Sequence, residues 1–319
     1  MRIVSLVPSA TETLFALGLD REIVGVSQDC DFPPEAKTKA IVVRSRLPQE
    51  ATPAERERMT REYVGRGESL YRVDGELLAG LEPDLVLTQD LCSVCAATPD
   101  ELQEALGYCS RRPEVLSLDP RDLADVWRDI LWIGERTGRR SGAEAHLESI
   151  GKRLGQIESE VQIESEPRRV VLLEWLEPFY VGGHWVPEMV ECAGGLDVLG
   201  RVRRPAYRVT EEEIIAAKPE VIFVAPCGHG AEAARQEYLS HTFSAAWADV
   251  PAVRKGQVFA LDANSYVSRP AGRLVTGIEA MAKALHPSLV VRPKAEWALL
   301  PVPTDRAGQR SASAGSGSL

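Results

Sequence analysis

The sequence predicts an α/β protein of two lobes. Each lobe is a mostly parallel sheet covered by helices, and the two are joined by a long rigid backbone helix with a ligand cleft between them. Three observations predict this. Short apolar runs alternate with helix-patterned stretches that carry capping signals. The plan occurs twice: "GELLAGLEPDLVLTQ" (75–89) is mirrored by "EEEIIAAKPEVIFVAP" (211–226), each a helix, a charged residue before proline, an acid and an apolar run. Between the halves, 120–162 carries helical spacing, too long for an ordinary crossover.

From the N-terminus, "RIVSLV" (2–7) reads as a buried strand, Ser9 and Glu12 as a capping box, and Gly18 as the helix stop. "EIVGVS" (22–27) is a second strand closed by "DFPPEA". The arginine-rich, polar segment 44–68 holds "TPAERERMTREYV", a short helix with a Thr cap, an early proline and first-turn acid. The segment 44–72 is expected over the first lobe near the cleft mouth. Thr98, Pro99 and Glu101 open the helix that precedes the strand "EVLSL" (114–118). Leu123, Val126, Trp127 and Ile130, then Leu147, Ile150, Leu154, Ile157 and Val161, keep helical spacing, with Gly134, Gly138 and Gly142 bending or breaking the path between them. In the second half "RRVVLLEW" (168–175) is a strand, "VPEMVECAGG" (186–195) a helix ending in glycine, and Thr210 with Glu213 a capping box. "QVFAL" (257–261) and "AGRLVTGIEAMAKALH" (271–286) close the lobe. The expected domains are 1–119, a linking helix region at 120–165, a second lobe at 166–287, and an extended, disordered tail at 288–319.

Composition narrows the function. The chain has 319 residues, 44% hydrophobic, with a formal net charge of −10. This length is enough for two real cores, and the acidic balance argues against nucleic acid. No stretch has the length of a membrane-spanning helix. "MRIVSLVPSATETLFALG" reads as strand, turn and helix rather than a signal peptide, so the chain as it stands is expected in the cytoplasm. No G-x-S-x-G, P-loop or Rossmann glycine fingerprint marks an enzyme, and a binding protein is expected instead.

In open α/β sheets ligands sit at the carboxyl ends of the strands. The residues expected there as ligand-binding are Gln28, Asp29, Gln89, Asp90, Trp175, Phe179, His184, Trp185, Asn264 and Tyr266. The aromatics offer stacking area, and the amides and acids offer hydrogen bonds. Cys92 and Cys95 form a C-x-x-C after a strand, with Cys30 and Cys227 at equivalent strand ends. Reduced thiols in this pattern are candidate metal ligands for zinc or an iron–sulfur cluster, or small residues filling a turn. A redox pair fits less well, since the pattern lacks a redox-helix sequence. His229, after "PCG", is a loop histidine that either meets solvent or reaches a ligand.

Taken together, "IVSLVPSATETLFALG", "VGVSQDCDFPPEA", "LEPDLVLTQ", "PFYVGGHWVPEMVECAGG", "VTEEEIIAAKPEVIFV" and "VFALDANSYVSRPAGRLVTGIEAMAKAL" resemble, in order over about 2–286, the helical-backbone solute-binding proteins of ABC importers. The resemblance is to the members that bind vitamin B12 and iron chelates, and most of all to those that bind cobalamin. It implies the two-lobe fold with its backbone helix and a corrinoid or other metal chelate as ligand. It also implies an importer as partner where the protein is exported. The segment 44–72 and the cysteines depart from that family's pattern. The alternative is a cytoplasmic protein or enzyme with a Cys-ligated metal or iron–sulfur centre on the same scaffold.

Overall fold

The computed structural model describes residues 1–48, 53–89, 97–161, 166–288, 293, 295 and 298–304. The chain divides into two compact units, one of 1–120 and 127–147, the other of 121–126 and 148–319.

The first unit is built on strands β1 (Ile3–Ser5), β2 (Ile23–Ser27), β3 (Ala40–Ser45), β4 (Tyr71–Val73), β5 (Leu85–Gln89) and β6 (Glu114–Leu118). Their order across the sheet is β4-β3-β2-β1-β5-β6. All neighbours are parallel except β3 and β4, which pair antiparallel. Helices α1 (Pro8–Ala16), α2 (Pro53–Gly65), α3 (Gly75–Gly80) and α4 (Pro99–Leu106) belong to this unit. Val4, Val42, Val86, Leu78 and Leu102 share one buried cluster, so sheet and helices close a common core.

Local signals explain where these helices start and stop. Helix α4 is capped by the Thr98 side chain, which accepts from Glu101 N, and has Pro99 in its first turn. Helix α1 departs from the expected box. It begins at Pro8 after Val7, and Ser9 lies inside the helix, because a proline ring at the first position is already set to helical φ. Its end agrees with the expectation. Gly18 adopts φ +71°, and Leu19 N bonds Leu14 O, the left-handed stop that glycine allows without a Cβ clash.

The expected single backbone helix is two: α5 (Leu123–Arg136) and α6 (Arg140–Val161). Gly138 at φ +69° turns the chain between them, and Arg139 N closes the turn on Gly134 O at 2.6 Å. A side chain at Gly134 would lie 2.6 Å from the Ala143 Cβ, so glycine there lets the two helices meet closely. The unit division falls within both helices.

The second unit contains strands β7 (Arg168–Leu176), β8 (Phe179–Val181), β9 (Gly183–His184), β10 (Gly195–Asp197), β11 (Arg201–Val202), β12 (Tyr207–Arg208), β13 (Val221–Val224), β14 (Val258–Leu261) and β15 (Leu299–Pro301). The main sheet runs β12-β8-β7-β13-β14-β15, with β10 also paired to β7; β9 and β11 form a small separate ladder. Strands β7, β13 and β14 are parallel, whereas β8 returns antiparallel to β7. Helices α7 (Val186–Cys192), α8 (Glu211–Ala217), α9 (Ala231–Ser240), α10 (Pro251–Arg254), α11 (Ala263–Tyr266) and α12 (Leu274–Leu285) complete it. The Thr210–Glu213 capping box forms at α8 as the sequence predicts.

Within the segment expected as a disordered tail, the described residues 298–304 include a strand. Leu299–Pro301 joins the sheet as β15, antiparallel to β14, and Val302 is buried. The edge of β14 would otherwise expose a row of unpaired backbone groups, and a short covering strand removes that liability.

Phe223 on β13 is wholly buried between β7 and β14 in the ladder. Truncating it leaves a cavity that close-packed neighbours cannot fill. Phe223→Ala is expected to lower the unfolding free energy by about 3–5 kcal/mol, measured by urea denaturation.

Candidate functional site

Three parallel strands of the second unit end on one edge. There, backbone hydrogen bonds tie their loops into a single surface. Cys227 N, after β13, bonds Glu174 O of β7 at 3.3 Å; Asn264 N, after β14, bonds His229 O at 3.1 Å. Gly228 at φ +80° gives the sharp turn that brings His229 back, and His229 N closes it on Pro226 O at 3.0 Å. The strand ends and loops of this edge carry Trp175, His229, Asn264 and Tyr266.

The His229 ring stands edge-on to the half-buried Trp175 indole, with centroids 5.9 Å apart at 75°. Its Nδ1 lies 3.2 Å from Cys227 O, a distance at which it donates to that carbonyl. The other nitrogen, Nε2, lies 3.6 Å from Oε2 of Glu237 on α9. Burial pushes the Glu237 carboxyl above its usual range, and the charge of His229 pulls it back. At the end of β14, Asp262 caps α11 by accepting from Ser265 N at 2.8 Å. Asn264 Oδ1 accepts from the buried Arg269 guanidinium at 3.0 Å, and Arg273 sits 5.5 Å over the Tyr266 ring. The edge therefore combines an indole, a phenol, an imidazole, an amide and two guanidinium groups.

Phe179, His184 and Trp185 lie elsewhere. Because β8 runs back along β7, Val181 pairs with Leu173 and Gly182 N bonds Leu172 O. The chain beyond β8 thus leaves away from the carboxyl edge of the parallel strands. Phe179 is core, stacked 6.0 Å from Trp247, and presents no ligand face. Trp185 is 4% exposed and donates its Nε1–H to Val267 O at 2.9 Å. His184 is half-buried with φ +50°, a strained conformation for a residue other than glycine. Two backbone bonds to Arg204 O and from Arg203 N hold it there, and Arg203 is itself anchored by Asp122 and Asp125. Gly183 is required in this ladder, since a Cβ would meet Ala206 N at 2.3 Å.

In the first unit Gln28, Asp29 and Gln89 are half-buried at the ends of β2 and β5. Asp90, Cys92 and Cys95 lie outside the described residues. Cys30 is 2% exposed, and the Thr11 hydroxyl of α1 lies 3.0 Å from its sulfur. Its sulfur is turned into the interior, which removes Cys30 from the expected four-thiolate centre. Cys227 is exposed on its loop. Among the described residues no group of three or more His, Cys, Asp or Glu side chains has metal-site geometry. The described residues thus lend zinc or iron–sulfur chemistry no support.

No spacing in the sequence singles out the His229–Glu237 pair or Arg269 and Arg273. The arginines carry the one usable signal, since "SRPAGR" puts both just before a long apolar helix and just after a strand-end loop.

Two carboxyl groups give titrations that check this geometry. His229→Ala removes the charge that lowers Glu237, so the Glu237 carboxyl is expected to titrate higher, read by carbon NMR of the side chain. Near the His184 ladder, Asp197 has its Oδ1 bonded by Leu199 N and Gly200 N while its Oδ2 is buried without a hydrogen-bond partner among the described residues. Burial pushes this carboxyl from 3.8 to about 6, with Glu191 adding to the rise and the two N–H groups opposing it. A raised carboxylate stabilises the fold below its unfolded value and loses that contribution as pH rises through about 6. The wild type should therefore lose up to about 3 kcal/mol between pH 4 and 7 from this group, and Asp197→Asn should flatten that slope in pH-dependent melting.

The chain resembles known solute-binding proteins along most of its length. It is 26% identical over 297 residues to an uncharacterized ABC transporter substrate-binding lipoprotein, YvrC, of Bacillus subtilis, covering 90% of this chain and 80% of the relative. It is 24% identical over 282 residues to the vitamin B12-binding protein of Vibrio cholerae, covering 87% and 86%. A periplasmic heme binding protein from Pseudomonas aeruginosa has the same fold, with a TM-score of 0.69 at 22% identity, over 94% of this chain and 97% of that one. These relatives overturn the cytoplasmic expectation, for they are periplasmic or lipoprotein receptors. That expectation rested on the first residues forming β1 and α1, which is a statement about folding and not about compartment. The model of the periplasmic binding protein family matches residues 3–265, and the chain belongs to that family.

Proposed function

We propose that this protein is the solute receptor of an ABC importer and that it binds a planar metal chelate, a corrinoid or a heme, through the carboxyl-edge residues of its strands. The observation that supports this reading is the contact of Trp175 with His229 on an edge whose loops, bonded backbone to backbone, also carry Asn264 and Tyr266. A large flat ligand needs aromatic stacking area and a few directional polar groups. The edge offers both, and His229 offers an imidazole nitrogen of the kind that ligates cobalt or iron once it leaves Glu237. Gln28, Asp29 and Gln89 at the strand ends of the first unit are also proposed as ligand-binding residues. The names of relatives point the same way, since they include vitamin B12-binding and cobalamin-binding proteins. Docking to an importer rests on the family and on the lipoprotein relative.

A specific observation favours heme as a second reading. Arg269 and Arg273 place two guanidinium groups beside Asn264 and Tyr266. Guanidinium forks suit the carboxylates at a heme edge better than the neutral amides of a corrinoid.

Titration of the protein with cyanocobalamin and with hemin, monitored by absorbance and tryptophan fluorescence, tests both readings. One of the two is expected to saturate at one equivalent, and Trp175→Ala is expected to weaken it at least tenfold while leaving the melting transition in place. Silence with both chelates, or undiminished binding by the variant, would count against the reading.

A further inference from the structure

Arg44 and Arg72 are register partners on the antiparallel β3–β4 ladder of the first sheet. Directly opposed residues on such a ladder put their side chains on the same face, and opposed like charges destabilise it. Arg46, two residues further along the chain, belongs to that face as well. All three line one cavity of about 640 Å³ in the first unit, together with Val42 and Tyr108. The Tyr108 ring forms a wall pressed against the backbone, for a Cβ at Gly75 would come within 2.6 Å of it.

The charges around the cavity are unevenly matched. Arg46 pairs with Glu101 at 3.1 Å, and the other Glu101 oxygen accepts from Val73 N at 3.1 Å. Asp74 is engaged as the cap of α3, accepting from Leu77 N at 3.0 Å. Arg44 and Arg72 form no ion pair among the described residues, in a chain with 47 acidic side chains against 37 basic ones. The lining as a whole carries four carboxyl groups, Asp74, Glu76, Glu101 and Glu104, against three guanidinium groups, yet none of them pairs with Arg44 or Arg72, and a small anion between the two would relieve their mutual repulsion.

We propose that this cavity is a second binding site, distinct from the chelate edge, that takes the oxyanion of a small molecule, a phosphate or a carboxylate, between Arg44 and Arg72. The guanidinium fork matches two oxygens at once, which a lysine does not do. Glu76 and Glu104 also line the cavity and repel further negative charge, so the site takes a compact anion and not a polyanion. The exposed Tyr108 ring receives an apolar or planar remainder attached to that group.

Isothermal titration of the full chain at low ionic strength, with inorganic phosphate, benzoate and tripolyphosphate as probes, tests this. Phosphate or benzoate is expected to saturate at one equivalent, and which of them binds tighter assigns the group. Tripolyphosphate is expected to bind more weakly than that probe. Arg44→Gln and Arg72→Gln, both exposed positions, are each expected to lower the affinity at least tenfold. Arg44→Lys, which keeps the charge and loses the fork, should also fall several-fold, and the remote Arg21→Gln should not change it. Chelate titration and the melting transition of every variant should match the wild type, which separates this site from the proposed chelate edge and from unfolding. No saturation by either small anion, tighter binding of tripolyphosphate, or an undiminished Arg44→Gln or Arg72→Gln variant would overturn the proposal.

Discussion

The parallel ladder β7–β13–β14 is the constraint on which the second unit's chemistry depends. Parallel pairing makes every strand end at the same edge, and each loop must satisfy its own backbone groups there. Cys227 N and Asn264 N do so by bonding the neighbouring strand or loop. The same bonds therefore fix the loops that carry His229 and Asn264 against the strand that carries Trp175. The proposed binding edge is then supplied by the way the sheet ends, with no dedicated scaffold. The first sheet has the same property at β1, β2 and β5, where Gln28, Asp29 and Gln89 emerge.

Departures from parallel pairing are equally consequential. The return of β8 along β7 sends Val181–Trp185 away from that edge, and its side chains become packing. Phe179 joins Phe243 and Trp247 in a buried aromatic group. Trp185 satisfies its indole N–H on Val267 O, as a buried Trp must. His184 is left in a left-handed conformation held by its neighbours' backbone. In the first sheet the one antiparallel ladder, β3–β4, is where two arginines come to oppose each other. The positions where strand direction changes are thus the positions where residue roles are least predictable from pattern.

Cys30 shows how local contacts overrule a shared address. It comes after β2 much as Cys227 comes after β13, yet its sulfur turns under α1 toward Thr11, while Cys227 stays exposed. Equivalent places in two similar halves do not give equivalent environments. The element packed over the loop decides, and a nine-residue helix starting at Pro8 lies above Cys30.

The sequence by itself determined the α/β class and several helix ends. These depend on interactions a few residues apart: Thr98 and Thr210 capping their helices, Gly18 and Gly138 adopting positive φ, and apolar runs long enough for one buried strand. The resemblance to solute-binding proteins was legible because many such local patterns occur in family order. Only the tertiary structure decided which residues share a surface. The pairing of His229 with Glu237, the placement of Arg269 on Asn264, the burial of Phe179 and Trp185, and the recruitment of Leu299–Pro301 as an edge strand all join residues far apart in the chain or depend on strand direction. Strand direction and loop packing come from the summed burial of whole elements, and no short spacing in the sequence encodes that sum.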